Sequence, residues 1–105
     1  MITVTFNCSD NLICGFTISG HSGFSEEGSD IVCAAVSSCA YMTANTLTEI
    51  LGLTPGIEVS DGYMKLILSD SDALKAQVIM NGFRLHINAL ADEYPGYIAC
   101  KTRNI

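Results

Sequence analysis

A thiol and an imidazole brought together make a nucleophile and its base, and the chain offers five cysteines and two histidines in 105 residues. His21 follows Gly20 and opens a segment, Ser22 to Ser29, with no hydrophobic period; its glycines Gly23 and Gly28 and its serines mark it as a loop. Cys33 comes twelve residues after His21, where the first turn of a helix is expected. Unpaired backbone N–H groups and the positive end of the helix dipole favour a thiolate there, and a nearby imidazole would activate it for acyl transfer. First-turn N–H groups are also the expected donors to an oxyanion. Glu26, Glu27 and Asp30 work against this, because a carboxylate beside sulfur disfavours its ionisation. Asp30 escapes the objection if it caps the helix or orients His21. Ser37, one turn after Cys33, shares its helix face and is able to bond the sulfur or a substrate.

The opposing reading is that Cys33 is packing, since free cysteine is among the most buried residue types. The remaining cysteines fit that description better. Cys8 and Cys14 fall on the inward pattern of strands and Cys100 on a last strand. Cys39 sits about 240° around the helix from Cys33. His86 lies on the apolar stripe of a second helix. No CxxC or HxxxH spacing occurs, so no metal site is expected. Five is an odd number, so at least one thiol stays outside any disulfide framework.

The elements that must position these residues follow from hydrophobic period. Ile2, Val4, Phe6 and Cys8 alternate with polar residues, turn chemistry follows at Ser9-Asp10-Asn11, and Leu12, Cys14, Phe16 and Ile18 alternate again, predicting an antiparallel hairpin. Ser29 or Asp30 is the expected N-cap of a helix running to about Leu51, with Gly52 as its stop. Ile57 to Ser60 and Tyr63 to Leu68 flank Asp61-Gly62, the strongest hairpin signal present. A second helix starts near Ser69 to Asp72, carries the stripe Ile79, Phe83, His86, Ile87, Leu90 and Tyr94, and ends at Pro95-Gly96. Tyr97 to Lys101 predicts a final strand before a polar tail. The order strand-strand-helix-strand-strand-helix-strand predicts an α+β fold, a mainly antiparallel sheet of about five strands with two helices packed on it.

Composition narrows the partners. With 49% hydrophobic and 15% charged residues the chain is one globular domain's worth, residues 1–105. Its net charge of −6 argues against nucleic acid, whose phosphates need clustered Lys and Arg. Ile31 to Thr48 is uncharged, but its serines, threonines and asparagine mark it as a buried helix rather than a membrane span. Met1 to Asn7 alternates instead of showing the basic start of an export signal, so a cytoplasmic location with reduced thiols is expected.

At Gly20-His21-Ser22-Gly23-Phe24 and at Gly28-Ser29-Asp30-Ile31-Val32-Cys33-Ala34-Ala35-Val36-Ser37 the sequence resembles the bacterial ribosomal-processing cysteine protease family, often called Prp. The likeness runs through nearly the whole chain and includes the Tyr94-Pro95-Gly96-Tyr97-Ile98 ending. It implies a homodimeric α+β peptidase that removes an N-terminal extension from large-subunit ribosomal protein L twenty-seven, with no cofactor. By the resemblance Cys33 is the nucleophile and His21 the general base, with Asp30, Ser37 and Gly20 in support. Ser22, Gly23, Phe24 and Gly28 then belong to a mobile substrate loop. Ser22 and Phe24 replace the Ala and Tyr common in relatives, which changes loop packing rather than chemistry. Two other readings of the same residues are a non-catalytic ribosome-associated binding protein of this fold and a redox-sensing thiol protein.

Overall fold

The computed structural model of the chain describes residues 1–26 and 30–105. Glu27, Gly28 and Ser29, including the expected loop residue Gly28 and the alternative cap Ser29, lie outside the described residues. Strand β1 (Ile2–Ser9) turns at Asp10-Asn11 into β2 (Leu12–Ser19). Both turn residues have left-handed backbone, φ 51° and 64°. That is the type I′ geometry whose twist matches a two-residue hairpin, and Asp and Asn tolerate it.

Helix α1 (Ile31–Asn45) follows and continues for five residues, Thr46–Ile50, as a wider π-helical turn. Gly52, at φ +65°, then stops it as expected. Strands β3 (Gly56–Ser60) and β4 (Tyr63–Ile67) form the second hairpin, α2 spans Asp70–Glu93, and β5 covers Ile98–Asn104. The polar end expected as a tail is therefore strand. Thr102, Arg103 and Asn104 pair with Phe6, Asn7 and Cys8, because main-chain pairing does not need apolar side chains.

The five strands lie in the order β3-β4-β2-β1-β5, antiparallel throughout except for the parallel β1–β5 pair. One core joins the inward sheet face to both helices. Phe83 of α2 packs its ring on Phe6 and Phe16 of the central strands, at centroid distances of 5.7 and 4.5 Å. Val32, Val36, Ala40 and Leu47 supply the α1 side. This packing on one flank accounts for the apolar character of the uncharged run.

Two details depart from the sequence pattern. Ile13, not Leu12, enters the core, because a bulge between Asn7 and Cys8 shifts the register and sets Ile13 opposite Cys8. The Gln77 side-chain amide then meets both Ile13 main-chain groups, accepting from the N–H at 3.0 Å and donating to the carbonyl at 2.9 Å. His86 faces solvent rather than the stripe; Phe83, Ile87 and Leu90 carry the buried line there, with Ala73, Ala76 and Met80 before them and Ile79 and Tyr94 partly buried against the core.

Candidate active site

The side chain of Asp30 shapes the start of α1. Its Oδ1 accepts from the N–H groups of Val32 and Cys33, both at 3.0 Å, so Asp30 is the N-cap. Its Oδ2 accepts from the Ser22 hydroxyl, which crosses from the end of β2. The Ser22 hydroxyl in turn accepts from the Phe24 N–H at 3.1 Å, closing a small turn over the helix end. Burial pushes the Asp30 carboxyl up, but hydrogen bonds from the Ser22 hydroxyl, the Cys33 N–H, the Cys33 thiol and the Val32 N–H outweigh it and hold the pKa at about 2. Of the two roles open to Asp30 in the sequence, the structure assigns it the cap.

Cys33 sits half-buried beside this network, and the Ser22 backbone N–H donates to its Sγ at 3.3 Å. The other thiols differ in kind. Burial pushes Cys14, Cys39 and Cys100 up, and Cys14 spends its S–H on the Asn7 carbonyl. Three of the N–H groups expected to face an oxyanion are already occupied. Val32 and Cys33 donate to the Asp30 side chain and Ala34 donates to the Asp30 carbonyl at 3.1 Å.

His21 is held from a different direction. Its ring lies against the β3–β4 turn, where a Cβ on Gly62 would come within 2.8 Å of Nε2; only glycine leaves room for the imidazole there. The Asp61 carboxylate stands 4.0 Å from the same Nε2. Gly20 fixes the approach. Its φ is +92°, a Cβ there would lie 2.5 Å from the Met1 carbonyl oxygen, and its N–H donates to the Gly62 carbonyl at 2.9 Å. Gly23 also needs its left-handed φ of +73°. His21 and Cys33 thus border one groove without a hydrogen bond between them.

The groove has a volume of about 440 Å³. Val36, Ala40 and Tyr41 of α1 form one wall, and Ile18, Val59 and Met64 of the sheet form the other. It exists because the helices stop short of the sheet edge. Ile57 and Val59 pair with core-facing Leu66 and Met64 yet remain exposed. Ser37 lines the groove one turn from Cys33 and makes no hydrogen bond to the sulfur. Phe24 anchors the described part of the loop, its ring edge-on to Tyr94 at 5.8 Å and to Tyr97 at 5.2 Å. Among the described residues no cluster of three or more His, Cys, Asp or Glu is placed to hold a metal ion.

Of the residues singled out in the sequence, Gly20, His21, Asp30, Cys33 and Ser37 line one groove, and Ser22 bonds both Asp30 and Cys33. The sequence marked Asp61-Gly62 only as a turn and showed no partner for Phe24. Two consecutive alternate apolar residues on a short strand, Ile57 and Val59, were the available sign of an uncovered wall.

The family model described as cysteine protease Prp matches residues 1–99. The ribosomal processing cysteine protease Prp of Bacillus subtilis is 27% identical over 112 residues, covering 100% of each chain. Among solved structures, SMU.848 from Streptococcus mutans superposes with a TM-score of 0.87 at 32% identity, covering 100% of this chain and 96% of that one. An essential ribosomal processing protease Prp from Staphylococcus aureus, in complex with a covalently linked product peptide, gives a TM-score of 0.86 at 28% identity, covering 98% of this chain and 100% of that one.

Proposed function

The chain belongs to the Prp family of cysteine proteases, and from that premise we propose that it removes the N-terminal extension of large-subunit ribosomal protein L twenty-seven, with Cys33 as nucleophile and His21 as general base. The observation that carries this reading is the address of Cys33: a half-exposed sulfur on the rim of an apolar groove, with a backbone donor on it and an imidazole across from it. Four other thiols lack that setting.

Chemistry divides among the residues as follows. The Asp30 carboxyl, held at a pKa of about 2, is too weak a base to take the thiol proton near neutral pH, which leaves His21. The thiolate attacks the scissile carbonyl and an acyl-enzyme forms on Cys33. His21 returns the proton to the leaving amine, and a water deprotonated by His21 releases the product. His21 lines the same groove as Cys33, with its ring against Gly62. The apolar walls suit a peptide with large hydrophobic side chains. A net charge of −6 speeds encounter with a basic ribosomal protein. Assembly as a homodimer in the cytoplasm completes the reading.

A peptide spanning the extension's cleavage site should yield two fragments with the unmodified chain and none with Cys33→Ala. Cleavage that survives in that variant removes Cys33 from the role.

A further inference from the structure

We infer that the backbone N–H of Ser22 is the oxyanion donor of this enzyme, supplied from the end of β2 rather than from the helix that carries the nucleophile. The inference rests on the reading of Cys33 as nucleophile and adds to it the group that stabilises the charge made by its attack.

Supply of donors decides the matter. A tetrahedral adduct on Cys33 holds its oxyanion within about 3 Å of the sulfur, and donors must lie 2.7–3.1 Å from that oxygen to stabilise it. The N–H groups on either side of the nucleophile are committed: those of Val32 and Cys33 bond the Asp30 carboxylate, and that of Ala34 bonds the Asp30 carbonyl. The Ser22 N–H, in contrast, spends its bond on the reacting atom itself, at 3.3 Å from Sγ. During attack the S–C bond forms and the carbonyl π pair moves onto oxygen. The sulfur loses its negative charge as the oxygen gains one, so the same N–H shifts its bond from sulfur to oxygen. When the adduct collapses, the C–N bond breaks, the C=O re-forms and the amine leaves with the proton from His21.

The donor is also held before substrate arrives, which is what gives such a group its leverage. The Ser22 hydroxyl is tied to Asp30, the Phe24 N–H closes back onto that hydroxyl, and Gly20 is pinned to Gly62 two residues upstream. Asp30 therefore acts twice as a positioning residue: it occupies the competing N–H groups and fixes Ser22.

The test replaces one amide by an ester. A chain assembled by ligation at Cys33, with the α-hydroxy analogue of serine at position 22, keeps the hydroxyl and loses only the N–H. Its kcat should fall about 10²- to 10³-fold against the all-amide chain made the same way, and the deficit should persist at alkaline pH where the thiol is fully ionised. Affinity for a peptide aldehyde, whose adduct carries the same oxygen, should fall in parallel. A kcat within threefold of the control overturns the inference, as does a deficit that vanishes at high pH, which would make the N–H a thiolate partner only. If the ester chain does not refold, the Ser22 amide proton of the unmodified protein decides: it should move strongly downfield on binding the aldehyde, and an unmoved resonance overturns the inference. Failure of the nucleophile reading shows separately, as turnover by Cys33→Ala.

Discussion

Both helices begin in the same way, and only one of them begins a site. α2 starts from Ser69, whose hydroxyl accepts from the Asp72 N–H at 3.2 Å in the open, with Asp70 and Asp72 adding negative charge to the first turn. α1 starts from Asp30, which caps Val32 and Cys33 in the same manner but is buried and has no acidic residue in the turn after it. Cys33 and Asp72 occupy the same third helical position. The difference lies in what crosses the helix end. Among the described residues no hydrogen bond joins residues 69–72 to a distant element, whereas the segment from Gly20 to Phe24 lies over the start of α1 and brings an N–H to the sulfur. A helix cap is a local device, and a site appears where a second chain segment is held against it.

The contrast breaks most visibly at the shared third position. Cys33→Ala should lose at least about 10³-fold in peptide cleavage, while Asp72→Ala should leave turnover unchanged in the same assay. An inactive Asp72 variant would mean that both helix starts serve the reaction. The caps come next. Asp30→Ala should lower kcat by roughly 100-fold, the cost of freeing the loop that carries a transition-state donor, and Ser69→Ala should leave kcat intact. Ser69→Ala costs about 1 kcal/mol of stability, read as a melting midpoint roughly 4–8 °C lower for a domain of this size. Equal kinetic loss in the two variants would erase the distinction.

Removing the loop anchor is a gentler probe. Phe24→Ala should cut kcat/KM by about tenfold, since two edge-on ring contacts are each worth roughly 0.5–1.5 kcal/mol, and Phe24→Tyr should restore most of it. Smallest is the effect of acid on Asp30. Its folded pKa of about 2 lies below the ordinary 3.8, so the carboxylate adds stability in full above about pH 5 and loses it as pH falls toward 2. Asp30→Asn should therefore differ most from the unmodified chain in melting midpoint near neutral pH, and the two curves should converge by about pH 2. A gap that widens in acid would place the carboxyl's shift in the opposite direction.

Local signals in the chain are legible because they follow from backbone geometry. Alternation along Ile2 to Cys8, the Asp10-Asn11 turn, the cap at Asp30 and the stop at Gly52 depend on residues within a few positions of one another. The inward turn of Ile13 escapes the Leu12-Cys14-Phe16 alternation for the opposite reason: its main chain is bonded by Gln77, 64 positions away. Phe24 had no visible partner because Tyr94 and Tyr97 approach only after α2 has packed.

The amino-acid sequence by itself determined the elements, their order and the few side chains able to do acyl-transfer chemistry, since propensity, period and side-chain type are properties of neighbouring residues. Only the tertiary structure decided which donor faces which acceptor. The Val32 and Cys33 N–H groups are taken by Asp30, the donor on the sulfur arrives from Ser22, and His21 rests on Gly62. Each pairing is settled by competition among groups that distant segments bring within 3 to 4 Å, and no spacing along the chain records that outcome.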